Sequence, residues 1–130
     1  MARKKRDIHL LAAISRRFLA ARRAISPTAL ALAEHYDIGQ TTWSEWERGV
    51  SFPPAAILVL LWKDHGISAD FLYSGDEGNL RVALRDRIRD ELAKIPELSE
   101  ADIAALHKNQ KAVRTSGRGP RRKPRPGNPA

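Results

Sequence analysis

The chain has 130 residues, of which 23 are basic and 15 acidic, and it contains no cysteine. Its length suits one compact domain with attachments and leaves no room for a second, enzyme-sized unit. The missing cysteine excludes disulfides, thiolate-held zinc and thiol chemistry, and is compatible with a reducing cytoplasm.

The formal charge of +8 is unevenly placed. Ten basic residues lie at Arg3, Lys4, Lys5 and Arg6 and at Arg114, Arg118, Arg121, Arg122, Lys123 and Arg125, with no acid in either tail; segment 7–113 carries the other 13 against all 15 acids, a net of −2. Two basic arms on a near-neutral body suit a polyanionic partner, because each neutralised phosphate releases condensed counterions. The plain alternative is a solvated tail that only aids solubility.

In chain order, residues 1–7 form a basic N-terminal arm. It begins like a secretion signal, but Arg16, Arg17, Arg22 and Arg23 interrupt what would be the apolar region, so a cytoplasmic, nucleoid-associated protein is expected. Residues 8–76 read as one helical domain. Leu11, Ile14, Phe18 and Ile25, with arginines between them, predict an amphipathic first helix ending near Ala24. Ser26-Pro27 then offers a capping hydroxyl and a first-turn proline for helix two, whose apolar positions are Leu30, Leu32 and Ala33.

Asp37-Ile38-Gly39 is a break, and helix three runs from Gln40 to Arg48, ended by Gly49. Phe52-Pro53-Pro54 opens helix four, about 54 to 64. Its run from Ala55 to Trp62 is the longest apolar stretch, far below the roughly 18 residues a membrane span needs, and predicts a buried helix. Ser68 caps a short fifth helix carrying Phe71 and Leu72.

Residues 79–113 form a helical extension, a candidate dimerisation or partner segment. Asn79 is the expected cap of helix six, with Leu80, Leu84, Ile88 and Leu92 as its stripe and Pro96 as its end. That stripe fits self-association, a protein partner or packing on its own domain. Ser99 with Asp102 predicts a last helix to about Val113, with Ile103 and Leu106 inward. From 114 to 130, Pro, Gly and Arg dominate, which predicts a disordered basic tail. No strand-like alternation occurs, so the fold class is all-α.

The chemistry concentrates in helix three. At 100° per residue, Trp43 and Trp46 share one side while Gln40, Thr41, Ser44, Glu45 and Arg48 share the other. Gln40 has the donor–acceptor pair that matches adenine, Glu45 accepts from the cytosine amino group, and Thr41 and Ser44 serve base or phosphate, with Arg48 nearer the backbone. On the wheel alone, any surface helix with a solvated side fits equally well; the two tryptophans read as core. Two short helices joined by a few residues between Pro27 and Gly49 are the arrangement that sets one helix across a DNA backbone and the next in the major groove.

These residues resemble the Cro and phage-repressor type of helix-turn-helix regulator, the XRE family, over roughly residues 10–76. The resemblance lies in Ala33 in helix two, Ile38 in the turn, Trp43 and Trp46, then Glu47-Arg48-Gly49 with Pro53 after it, and the closing stretch Ile67 to Gly75. It implies a five-helix repressor-like DNA-binding domain, here with one or two additional C-terminal helices, acting as a homodimer on a two-fold-related operator in double-stranded DNA. It also implies base contacts from Gln40, Thr41 and Glu45, phosphate contacts near Thr42 and Arg48, and a partly buried ion pair between Arg22 and Glu47.

The chain departs from the family at Ala29, where a phosphate-clamping glutamine is usual, so that either Thr28 substitutes or the contact is absent. It departs again at Asp37, which replaces a turn glycine and tolerates a left-handed conformation better than most residues. In the tail, the Gly117 to Pro126 stretch resembles an AT-hook, with nonspecific phosphate attraction as the favoured reading.

An enzyme is not expected. His9, His35, His65 and His107 stand singly, no metal-binding motif or glycine-rich phosphate loop occurs, and no cofactor or metal is implied. The rival function is an antitoxin-type DNA-binding protein whose residues 79–113 hold a protein partner.

Overall fold

A computed structural model describes residues 2–105 and 108. Among these the chain is all-helical, with α1 Ala2–Ile25, α2 Ala29–His35, α3 Gln40–Arg48, α4 Ala55–His65, α5 Ala69–Ser74 and α6 Val82–Lys94, and with α7 described over 100–105.

The first helix is longer than its apolar spacing suggests. It starts at Ala2 rather than 8, so the arm and the domain share one continuous helix across residue 7. Nothing between Ala2 and Ile25 breaks it: Ala, Leu, Arg and Lys are strong helix formers, and neither Gly nor Pro occurs. Pro27 ends it, because the residue before a proline is pushed out of the helical region. Ile8, Leu11, Ala12, Ile14, Phe18 and Ala21 form its buried side, and α1 packs against α3, α5 and α6.

Phe18, Leu32, Trp43, Trp46, Leu61 and Phe71 are among the side chains of one core to which all of α1–α6 contribute. Leu80, Leu84 and Ile88 are buried in that same core, with Leu92 half-buried against it. The stripe of the sixth helix is therefore packed on its own domain, chiefly on α1.

Arginines of α1 tie down the ends of other helices. The last carbonyls of any helix have no partner within it and carry partial negative charge. The Arg16 guanidinium donates to Leu92 O at 2.8 Å and to Ile95 O at 2.8 and 3.0 Å, closing α6. Arg17 donates to Leu72 O at 2.9 Å and Tyr73 O at 2.8 Å, closing α5. Burial, and then the neighbouring Arg16 charge, hold the Arg17 guanidinium below its ordinary pKa.

Several local expectations need correction. Thr28, not Ser26, caps α2: its Oγ1 accepts from Ala31 N at 3.3 Å, while Ser26 Oγ donates to Thr28 O at 2.9 Å. Arg81, not Asn79, is the N-cap of α6, without a side-chain bond; the Asn79 amide donates to Asp70 Oδ2 at 3.3 Å, and Leu80 sits in the turn before the helix. Nor is α4 buried all round. Ile57, Leu58 and Leu61 face the core, but Val59, Leu60 and Trp62 are exposed.

The start of α7 is held by a reciprocal pair, Asp102 N to Ser99 Oγ at 3.1 Å and Ser99 N to Asp102 Oδ2 at 3.2 Å. Ile103 is half-buried; Leu106, Val113 and the tail 114–130 lie outside the described residues.

Candidate nucleic-acid interface

The candidate interface is the outer side of α3, and its position follows from what lies behind it. Trp43 and Trp46 are 0% and 4% exposed. Their ring centroids are 5.4 Å apart, and Phe18 of α1 meets Trp43 at 5.4 Å and Trp46, edge to face, at 6.2 Å. Such tilted and edge-on contacts match the charge distribution of aromatic rings and favour one geometry over others. Tyr36, the C-cap of α2, lies parallel to Trp43, with rings 6.3 Å apart and 7° between planes.

Beneath α3 lies a three-residue polar cluster. Arg22 donates through Nε to Glu47 Oε2 at 2.8 Å and through Nη2 to Oε1 at 3.1 Å, a bidentate pair whose side chains are only 11% and 10% exposed. The Trp43 indole N–H donates to the same Oε2 at 2.7 Å. Arg22 Nη1 also reaches Ser26 O at 3.3 Å and Pro27 O at 3.2 Å, where the chain enters α2. One guanidinium thus joins α1, the α1–α2 turn and α3. A planar fork with five donors meets this demand; a lysine ammonium does not.

The turn joining α2 to α3 is equally constrained. Asp37 has φ 55°, the left-handed region that a short acidic side chain tolerates, and Ile38 N donates to Ala33 O at 2.8 Å. Ile38 packs on the core, so the turn is held at its apolar residue. At the far end, Gly49 closes α3 with φ 80°, and Val50 N returns to Glu45 O at 2.9 Å.

The opposite side of α3 is left without partners. Gln40, Thr41, Thr42 and Arg48 are exposed; Ser44 and Glu45 are half-buried. Among the described residues, none of these six side chains makes an intramolecular hydrogen bond or ion pair. Gly39, the N-cap, supplies no side-chain acceptor to the first turn. Thr28 is exposed at the start of α2; its oxygen caps the helix, but its hydroxyl hydrogen remains available.

No family model, curated protein or solved structure matches the chain. The reading of the α3 surface therefore rests on its own chemistry. Among the described residues no helix is long and apolar enough to cross a membrane, and no group of three or more acids and histidines is placed to hold a metal ion.

Two parts of this site were not anticipated from the sequence. The Trp43–Glu47 bond has a sequence signal, since positions four apart share a helix face. The attachment of Arg16 and Arg17 to α6 and α5 has none, because those carbonyls lie 55 to 79 residues away.

Proposed function

We propose that the protein is a sequence-specific DNA-binding transcriptional regulator of the helix-turn-helix type, acting as a dimer on a two-fold-related operator, with α3 in the major groove. The observation that carries this reading is the polar side of α3, five side chains with Thr42 exposed at its edge, all without a partner among the described residues and held on a helix whose rear is locked by two buried indoles and a bidentate ion pair. A rigid helix presenting unpaired amide, hydroxyl, carboxylate and guanidinium groups has what base edges require, and little position is lost when it docks.

In this reading Gln40 pairs with adenine and Glu45 accepts from a cytosine amino group. Thr41 and Ser44 meet base or phosphate, while Thr42, Arg48 and Thr28 hold the backbone on either side. Because segment 7–113 has a net charge of −2, most of the nonspecific attraction must come from the basic arms. The likeness in sequence to Cro and phage-repressor regulators supports the same placement.

The antitoxin alternative, with residues 79–113 holding a protein partner, has less support, because the stripe that suggested it is covered by α1. The direct test is selection of bound duplexes from a random pool. The reading predicts a two-fold sequence; recovery of unrelated sequences bound no better than the starting pool contradicts it.

A further inference from the structure

Two adjacent arginines of α1 keep their charge inside the fold. Arg16 and Arg17 are half-buried, and among the described residues neither has a carboxylate within ion-pair distance. Arg22, half-buried on the same helix, is neutralised by Glu47. Backbone carbonyls fix Arg16 without cancelling its charge: Nε and Nη2 close α6, while Nη1 has no acceptor among the described residues. Both N–H groups of that nitrogen are therefore unspent. Arg17 Nη1 is turned toward Gly75, 3.7 Å from where a Cβ would stand, so Arg17 adds charge here rather than a second donor.

Beside this pair a cavity of about 280 Å³ opens between α1 and the segment that leads from α6 into α7. Its lining is of two kinds. Arg16, Arg17 and His9 supply donors and positive charge, whereas Ala12, Ala13, Leu98 and Ile103 are apolar. The acid at its edge is Glu97, exposed and without an ion-pair partner among the described residues. The cavity is separate from the α3 surface, since Arg22 lies about 20 Å along α1 from His9 and about 9 Å from Arg16.

We infer that this cavity binds a small amphipathic monocarboxylate, its carboxylate on Arg16 Nη1 and its apolar body against Ala12, Ala13, Leu98 and Ile103. An anion placed there relieves the repulsion between two neighbouring guanidiniums and accepts charge-assisted hydrogen bonds from a donor already held in place. Burial, and then the Arg16 charge, hold Arg17 below its ordinary pKa, as befits a cation lacking a counter-charge.

The lining also restricts the ligand. Glu97 limits it to one negative charge, because a phosphate dianion or a dicarboxylate sets its second charge against that carboxylate. A neutral ligand gains nothing from the paired cations, and a purely charged one leaves the apolar lining unused. The volume lies just below the roughly 300–1,000 Å³ of drug-sized sites, which suits a benzoate-sized or short-chain acid and excludes a nucleotide. A bound acid joins α1 to the start of α7 through the same guanidinium that closes α6. The inference does not depend on the DNA-binding reading.

The test is titration of the full chain with sodium benzoate at constant ionic strength, read by amide chemical shifts and by melting temperature. The expected result is saturable shifts at Ala12, Ala13, Leu98 and Ile103 with a Kd of about 1 mM or tighter, and a rise in melting temperature. Benzyl alcohol, which has the ring without the charge, and inorganic phosphate, which has charge without the ring, each bind there about tenfold more weakly or worse. Ala13→Leu fills the cavity and abolishes the shifts, and Glu97→Gln tightens binding at least twofold by removing the repelling charge. Both variants leave the Arg16 bonds to α6 in place, so they keep the test open if Arg16→Gln fails to fold. No saturable shift at these residues up to about 20 mM benzoate would overturn the inference. So would phosphate binding there as tightly as benzoate, Ala13→Leu binding like the wild type, or Glu97→Gln binding no better than the wild type.

Discussion

Helices α3 and α6 share a pattern, each with an apolar side in the core and a polar side outward, yet their polar sides differ in kind. On α6 three of the four basic residues have acidic partners: Arg89 with Glu77 at 2.6 Å, Lys94 with Glu91 at 3.2 Å and Arg85 with Asp86 at 3.4 Å. The Arg89 hydrogen bonds hold the Glu77 carboxyl below its usual range. On α3 the outward side chains have no partner among the described residues. On the proposed reading, what marks α3 is thus not amphipathicity, which both helices share, but that its outward polar groups have no partner among the described residues.

The largest expected effect removes the support of α3 rather than its surface. Trp43→Ala deletes a fully buried indole at the centre of the core and the donor to Glu47, and is expected to cost ~3–5 kcal/mol of stability in urea unfolding. Glu47→Ala comes next: it leaves the Arg22 guanidinium nearly buried without its carboxylate, for a loss of about 3 kcal/mol. Glu47→Gln keeps an acceptor and should recover part of it. If neither substitution lowers stability, α3 is not held from behind as described.

The surface of α3 should behave in the opposite way. Gln40→Ala or Glu45→Ala is expected to leave the unfolding midpoint within about 0.5 kcal/mol while relaxing preference at one base position by about 1–3 kcal/mol. Arg87→Ala, at an exposed residue of α6 with no partner among the described residues, should change neither. Removal of residues 114–130 should weaken binding to all duplexes alike and flatten its salt dependence.

The smallest effects concern pH. The Tyr36 hydroxyl donates to Asp64 Oδ2 at 2.8 Å, and burial followed by the Asp64 carboxylate pushes its pKa up to about 12. Because the folded value lies above the ordinary 10.0, this contribution is complete below pH 10 and disappears as pH rises through 12. Tyr36→Phe should cost about 0.5–1 kcal/mol at neutral pH and remove that part of the alkaline loss. Glu77 has the reverse sign: its contribution is present above the ordinary carboxylate pKa and fades as pH falls through the lowered folded value. It is slight, because the pair is exposed.

Much of this architecture was legible in the sequence because its signals are local. The bounds of α3, the burial of Trp43 and Trp46, the left-handed Asp37 and Gly49, and the Ser68 cap all follow from residues within one turn of each other. What was illegible is tertiary. The spacing of Leu80, Leu84, Ile88 and Leu92 fits a partner, a dimer or the chain itself, and only the placement of α1 decides among them. Helix α4 reads as buried because composition does not say which side of an apolar helix its neighbours cover. Two capping assignments failed for a related reason: Ser26 and Asn79 have suitable side chains, but their hydrogen bonds go to Thr28 and Asp70.

The measurement that bears most directly on the partnerless side of α3 is a single-base substitution scan across a selected duplex, with wild-type protein and with Gln40→Ala. The account predicts that the variant becomes indifferent to one base pair in each half-site while keeping wild-type preference at the others. A uniform loss of affinity at every position, or none, would contradict it.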